Sequence, residues 1–270
     1  LSYSGEELMK QLDLSFFRAP TDNDTCGGIV PQDMPFKIRG TLPFSLYFTD
    51  NLIEFLRTRA TVVSLNSYAY LWRMFGLDRL HRRKRSSETD AGFANESEVN
   101  MSSIVAYGEH IAAKIDVTTH ANSATAVNVT VDADTRLPIL PRVGLHMKIP
   151  AKYDTVEMLA RGPHENYSDR MSGAAMGTWR WSVGDLFVPY LRPSENGGRE
   201  KVRFVSLTAK DGSGLLVVPT NRSAHVSVSR YSVEETDKAE HLQDLVSADP
   251  DYLHLHVDHR HMGLGGENSW

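Results

Sequence analysis

Alternation of apolar and polar residues with a period of two constrains the fold of this chain more than any other feature. It runs through Val127–Ala133, Arg142–Ile149 and Tyr252–Asp258, and it is typical of strands that bury one face. Two further apolar runs, 202–209 and 214–218, flank a short Gly-containing turn and predict a β-hairpin. Turn residues recur between the runs, so we predict an all-β fold built from antiparallel sheets.

Helical signals are few. Ser232-Val-Glu-Glu235 is a capping box, which predicts a helix from there to about His241. Tyr68–Phe75 predicts a second, short helix that Gly76 ends.

Composition excludes several classes of protein. The chain has 270 residues, 41% of them hydrophobic, and a net charge of -5, which argues against a nucleic-acid-binding protein. No apolar run approaches the roughly 20 residues of a membrane helix. The single cysteine, Cys26, excludes an internal disulfide and suits a reducing compartment. The first residues resemble no secretory signal and include no initiator Met, so we expect a cytoplasmic protein whose chain starts inside a longer reading frame.

Four motifs carry a resemblance to a known family. They are Phe17-Arg-Ala-Pro-Thr-Asp-Asn-Asp24, Arg161-Gly-Pro-His-Glu-Asn-Tyr-Ser-Asp-Arg170, Pro189-Tyr-Leu-Arg-Pro-Ser-Glu-Asn-Gly197 and His261-Met-Gly-Leu-Gly-Gly-Glu-Asn-Ser-Trp270. Their residues and order closely resemble the C-terminal domain, or small chain, of glycoside hydrolase family 2 beta-galactosidases. The resemblance covers the chain from Phe17 to about Gln32 and from about Tyr68 to its end.

The resemblance implies an antiparallel β-supersandwich of the galactose mutarotase-like type, as one domain over residues 1–270. Family sequences continue at both ends, so we expect this domain to be truncated at both ends. The family keeps its catalytic glutamates, with Mg and Na, on a TIM barrel that precedes this domain. The implied partners are that barrel, in cis or in trans, and a β-galactoside substrate. The complete enzyme is expected to be an oligomer.

Residues 33–66 depart from the family pattern. Gln32 and Ser67 would join naturally in a family member, but Asp33–Asn66 intervenes and shows no steady period. One hypothesis is a gene-model artefact such as a retained intron. The other is a genuine lineage-specific loop.

Trp270 is the main candidate for substrate contact. An aromatic ring can stack on the C–H face of a sugar, and three nearby glycines allow a sharply turned backbone. The resemblance implies that Trp270 is the platform for the second sugar of the substrate. It also places Asp24, Gly27 and Gly28 in a loop at the rim of the active site. For an arbitrary chain, a terminal Trp would more often be part of a core.

No catalytic carboxylate is assigned in this chain. A retaining glycosidase needs two carboxyl groups about 5–5.5 Å apart. Glu165 and Glu195 lie in Pro- and Asn-containing turns, where a carboxylate can accept bonds from backbone amides. Glu234 and Glu235 begin the predicted helix, where they complement the helix dipole.

No metal site is assigned either. His254, His256 and Asp258 share one face of a strand and could ligate zinc or copper. The sequence shows no further ligand at a fixed spacing, so we expect a solvent-facing strand surface instead. Residues 22–33 match an EF-hand loop poorly, because Cys26 occupies a ligand position. A tight turn at Asp22–Asp24 is the better interpretation.

The basic run Arg79–Arg85 is short and lies in an acidic chain without interleaved aromatic residues. It favours a charged strand edge rather than a nucleic-acid site.

The resemblance therefore implies a sugar-contacting, non-catalytic domain of a beta-galactosidase that covers one side of the barrel's active site. Two alternatives are left open by the residues: a free-standing carbohydrate-binding module, and an aldose-epimerase-like enzyme with His164 as acid and base.

Overall fold

The structure is a computed structural model, and it describes residues 2–3, 6–25, 67–85, 94–100, 110–120, 124–220 and 224–265. The chain forms two compact units. One comprises Leu1–Thr21 with Ile139–Trp270, and the other Asp22–Pro138. The predicted insertion at 33–66 lies outside the described residues, and the single domain over 1–270 stays a prediction.

The regular elements are mostly strands. In chain order they are β1 (Ser2–Tyr3), β2 (Glu6–Glu7), β3 (Gln11–Ser15), α1 (Asp22–Thr25), α2 (Tyr68–Met74), a 3-10 turn (Leu77–Arg79), β4 (His81–Arg85), β5 (Ala94–Asn100), β6 (His110–Thr119), β7 (Thr125–Ala133), β8 (Arg142–Pro150), β9 (Thr155–Gly162), β10 (Ala175–Ser182), α3 (Val183–Leu186), β11 (Arg199–Val202), β12 (Phe204–Thr208), β13 (Gly214–Val217), β14 (Ala224–Ser229), α4 (Val233–Lys238), a 3-10 turn (Leu242–Asp244) and β15 (Tyr252–His261).

The first unit contains two large sheets. A five-stranded sheet has the order β11-β14-β15-β8-β3, and a four-stranded sheet has the order β10-β9-β12-β13. Neighbouring strands in both sheets are antiparallel. The prediction of an antiparallel all-β fold is confirmed.

The two sheets share one apolar core. Alternate residues of β8, β14 and β15 point from the five-stranded sheet into it, and alternate residues of β9 and β12 enter from the other sheet. The buried side chains include Met147, Ile149, Val156, Met158, Val205, Leu207, Val226, Val228, Leu253 and Leu255. Burial of each such side chain contributes about 1.5–3 kcal/mol to the free energy of folding. The apolar residues of β15 therefore face this core, and its polar residues lie on the opposite face.

The second unit is built around a sheet with the order β4-β5-β6-β7. Burial alternates residue by residue along β7, as its sequence predicts. Residues 81–85 of the basic run form β4, which is the end strand of this sheet among the described strands, as predicted. Asp22–Asp24 begins the single helical turn α1 where we predicted a tight turn.

The capping residues predicted from the sequence are found at the ends of two helices. Ser67 caps α2 by accepting a hydrogen bond from the Tyr70 amide, and Gly76 then adopts a left-handed φ of 73°. Ser232 and Glu235 form the predicted capping box of α4.

Helix α4 ends earlier than predicted, at Lys238 instead of about His241. The Asp244 carboxylate accepts bonds from the backbone amides of Glu240 and His241, so the chain begins a new 3-10 turn instead of continuing the helix. No helix among the described residues is long and apolar enough to cross a membrane.

Candidate functional site

The face of the five-stranded sheet that points away from the apolar core is polar and also buried. Its buried residues are Arg142 on β8, His225 and Ser227 on β14, and His254, His256 and Asp258 on β15. The expectation that His254, His256 and Asp258 face solvent is wrong, because all three side chains are buried.

Two of the covering segments belong to the motifs around residues 161–170 and 189–197. The Tyr167 ring packs against His225 at 5.0 Å and against His261 at 5.4 Å between centroids. The Glu195 backbone amide donates to the Ala19 carbonyl over 3.1 Å, which ties a third motif to the same cover. The sheet and its cover therefore enclose a layer of charged and aromatic side chains, which we call the polar layer.

Arg142 lies at the centre of the polar layer. Its Nη2 is 3.1 Å from Asp258 Oδ2 and 3.5 Å from Glu195 Oε1. Burial opposes the charged guanidinium, but the two carboxylates outweigh it and raise the pKa of Arg142. Burial raises the pKa of Asp258 to about 6, although Arg142 acts in the opposite direction. The ion pair links β8 and β15 to the covering segment that carries Glu195.

Two histidines of the polar layer each place Nδ1 against an oxygen acceptor. His225 Nδ1 is 3.1 Å from Glu200 Oε1, and His261 Nδ1 is 2.7 Å from the Met262 carbonyl. Each Nδ1 therefore meets an acceptor, to which a ring N–H at that position donates. The Nε2 atoms of both rings are buried and have no hydrogen-bond partner among the described residues. His261 Nε2 lies 3.6 Å from Glu195 Oε1.

Glu195, His225 and His261 offer three potential metal ligands within 4.8 Å of one another. Their orientation does not suit a shared ion. The two imidazoles stack at 4.3 Å with only 19° between their planes, so in-plane lone pairs run side by side and do not converge. Arg142 also places a positive charge 3.5 Å from the Glu195 carboxylate. The arrangement favours a structural network over a metal centre.

A row of three histidines continues the polar layer along the sheet. His146 Nε2 lies 2.9 Å from His254 Nδ1, and the His146 ring stacks on His256 at 4.7 Å. Burial, followed by the positive potential of His254, lowers the pKa of His146 to about 4. Burial likewise lowers the pKa of His254, and it lowers that of His256 further. All three rings are thus neutral near pH 7.

Glu165 joins two of the motifs. Its Oε2 accepts a hydrogen bond of 2.7 Å from the Gly197 amide, which confirms the predicted bond to backbone. Its Oε1 contacts both Arg170 and Tyr190. This carboxylate and that of Glu195 are each occupied by protein partners, which favours structural roles for both.

The segment 261–265 is held from two sides. Arg18 Nη1 donates to the Met262 carbonyl over 2.7 Å, and Arg18 Nη2 donates to the Gly263 carbonyl over 3.0 Å. Asp169 Oδ2 accepts from the Gly265 amide over 2.8 Å. These bonds fix the last described residues of the chain.

The structure describes only some of the residues singled out in the sequence. Trp270, Gly27 and Gly28 lie outside the described residues, so their roles stay predictions. Asp24 is described, lies in α1 and is buried. His164 is exposed on the covering segment, and its backbone carbonyl accepts from the Asn166 side chain.

Sequence reasoning missed most of the polar layer. Arg142 and His225 are single polar residues on strands, where a period of two assigns them to solvent. Arg18 and Asp169 do lie inside motifs. A charged residue within an otherwise turn-forming motif was the sequence signal that could have identified them as contact residues. Nothing in the local sequence indicated which carbonyl or amide each would bind.

Comparison with known proteins gives a consistent result. The family profile described as "Beta galactosidase small chain" matches residues 1–270. A beta-galactosidase of Vibrio cholerae is 36% identical over 208 residues, which is 76% of this chain and 19% of that protein. A beta-galactosidase of Alteromonas mediterranea is 29% identical over 280 residues, which is 100% of this chain and 23% of that protein. The chain spans about a fifth of the length of these relatives.

Proposed function

The chain belongs to the beta galactosidase small chain family, and we propose that it is the C-terminal, sugar-contacting domain of a beta-galactosidase. In this proposal the complete enzyme hydrolyses terminal β-D-galactosides. The catalytic barrel, with its Mg and Na, is a separate part of the same polypeptide or a partner subunit. The complete protein works in the cytoplasm as an oligomer.

The observation that carries the proposal is the convergence of all four motifs on the polar layer and its margin. Arg18 joins the first motif to the fourth, and Asp169 joins the second to the fourth. Glu165 joins the second to the third, and Glu195 joins the third to the first. Segments far apart in the sequence are thus joined through their motif residues into one continuous surface.

The finer assignments follow from the family resemblance. The shared core of the two large sheets suits the β-supersandwich of the galactose mutarotase-like type. Trp270 follows the fixed segment 261–265 by five residues and would form the stacking platform for the second sugar. Asp24, Gly27 and Gly28 would belong to the loop at the active-site rim.

The proposal assigns catalysis to the barrel and not to this chain, and an activity assay tests that assignment directly. The purified chain should not hydrolyse a chromogenic galactoside, because neither of the two carboxyl groups that the glycosidase mechanism requires is identified in it. The complete enzyme that contains the chain should hydrolyse it. Protein from a host lacking beta-galactosidase is the required material, and robust turnover by the chain alone would overturn the proposal.

A further inference from the structure

The strand β7 ends the sheet of the second unit, and among the described strands it has a neighbour on one side only, β6. With nine residues, it is the longest of the end strands that the structure describes. Its sequence contains one charged residue, Asp132, and neither Pro nor Gly. Its register with β6 is regular along the whole strand, without a bulge. Natural sheets usually protect an edge with several charges, Pro, a bulge or a very short strand, because unpaired backbone groups recruit another strand. Apart from Asp132, β7 carries none of these protections.

The strand at the other end of the same sheet has the opposite character. β4 is five residues long and contains four consecutive basic residues, Arg82–Arg85. Pairing of two such strands would bring like charges opposite each other, which is destabilising. Association through this sheet is therefore favoured at the β7 edge alone, and that gives a closed pair of molecules instead of an open array.

One face of β7 carries a row of β-branched side chains that is only half-buried, namely Val127, Val129 and Val131. In the ladder with β6, Val129 lies opposite Ile115 and Val131 lies opposite Ala113. These two β6 residues are 3% and 6% exposed. The apolar face that is buried on β6 thus continues onto β7, where it is partly exposed. A further strand beside β7 would remove more of this apolar surface from water.

The order of the valines suits pairing of β7 with a second copy of itself. Two strands related by a two-fold axis run antiparallel, and a residue on the axis lies opposite its own copy. With the axis at Val129, Val127 lies opposite Val131 of the partner subunit. The row of valines then continues across the junction, and directly opposite β-branched side chains stabilise a strand pair.

The same axis also matches the polar residues on the exposed face of β7. Asn128 lies opposite Thr130 of the partner subunit, and their side chains can form a hydrogen bond. Asp132 lies opposite Ala126 of the partner subunit, so the pairing sets no like charges against each other. Both faces of β7 are therefore self-complementary, as an isologous interface requires.

We propose that β7 is a subunit interface, at which it pairs antiparallel with β7 of a second copy around a two-fold axis at Val129. This inference rests on the proposed function, which includes an oligomer, and it names the surface that forms it. Main-chain hydrogen bonds along the open edge hold the two copies together. The valine row fixes the register, because a slip of one residue turns the valines to the opposite face from those of the partner.

The test measures the mass of the complete enzyme by light scattering after size-exclusion chromatography. Asn128→Lys combined with Thr130→Lys sets basic side chains opposite each other across the axis and should halve the mass. Asn128→Lys combined with Thr130→Glu is the matched control, because it sets opposite charges across the axis and should keep the wild-type mass. Within one subunit the control is also favourable, since Asn128 lies opposite Asp116 and Thr130 opposite Lys114 on β6. An unchanged mass in the doubly basic variant would overturn the interface, as would a monomeric wild-type enzyme.

Cross-linking tests the register and covers the case in which the doubly basic variant does not fold. The background has its own cysteines, among them Cys26, replaced by Ser. Val129→Cys should form a disulfide between subunits on oxidation, because the Cβ atoms of directly opposite residues lie about 5 Å apart. Val127→Cys is the control, since its own copy would lie four residues along the strand, roughly 14 Å away, and no disulfide should form. Any other pattern, including equal yields from the two variants, would refute the pairing around Val129.

Hydrolysis of a galactoside by the same preparations separates this inference from the proposed function. An enzyme that hydrolyses the substrate but keeps its mass in the doubly basic variant would refute the β7 interface alone. An enzyme that assembles through β7 but hydrolyses no galactoside would refute the proposed function and leave the interface in place.

Discussion

At the scale of single residues, Arg142 shows how a buried charge can hold a site together. It is 1% exposed, and its carboxylate partners Asp258 and Glu195 are 0% and 7% exposed. Taking three charges out of water costs several kcal/mol per ion, and the mutual attraction only offsets this cost when the geometry is good. The network therefore contributes specificity of arrangement more than net stability.

Removal of Arg142 should be costly. Arg142→Met leaves Asp258 and Glu195 buried without their cation, and we expect a loss of about 3–5 kcal/mol in the free energy of unfolding, measured by urea titration. Arg136→Ala breaks a surface pair with Asp134, in which Arg136 is 51% exposed, and should cost less than about 1 kcal/mol. Similar losses in the two variants would show that the buried network is not a unit.

At the scale of elements, the five-stranded sheet has two buried faces of different character. The alternation along β8 and β15 located the strands and the apolar face correctly. It could not show that the polar face is buried as well. A period of two separates the apolar face of a strand from its polar face, but it does not show whether another segment packs on the polar face. The helix caps and the hairpin were predictable because their signals are local. The polar layer depends on contacts between distant segments, such as Arg142 with Glu195.

Close packing of β8 on β15 gives a prediction for this sheet. A Cβ at Gly144 would lie 2.6 Å from Asp258 Cα and 2.7 Å from the Val257 carbonyl, so backbone would have to move. Gly144→Ala should therefore destabilise the protein by about 1–3 kcal/mol, as overpacked cores do. Gly173→Ala meets nothing within 4 Å and should leave the melting temperature nearly unchanged. A neutral Gly144→Ala would contradict the register of this strand pair.

At the scale of the whole molecule, the buried histidines make stability depend on pH. The folded pKa of His146 is lowered from 6.5 to about 4, and those of His254, His256 and His261 are lowered as well. A folded state that binds fewer protons than the unfolded chain is stable above pH 6.5 and loses that stability as pH falls towards 4. Burial raises the pKa of Asp258 to about 6, so this carboxyl group stabilises the folded state as pH falls. The four histidines with lowered pKa values act against this single group.

We therefore expect the urea midpoint to fall steeply between pH 6.5 and 4, by the equivalent of a few kcal/mol. His146→Gln removes one titrating group and should make this slope shallower. A midpoint that stays constant through this range would refute the neutral, buried state of the histidine row.

The position of β3 has a consequence for the order of events during synthesis. β3 pairs with β8, with Leu12 opposite Met147, while the intervening Asp22–Pro138 forms a separate compact unit. The ribosome must therefore release that whole unit before β3 can find its partner. At about 5–20 residues per second this takes on the order of ten seconds. During that interval β3 lacks its partner strand β8, and its unpaired backbone groups are a natural point of contact for chaperones.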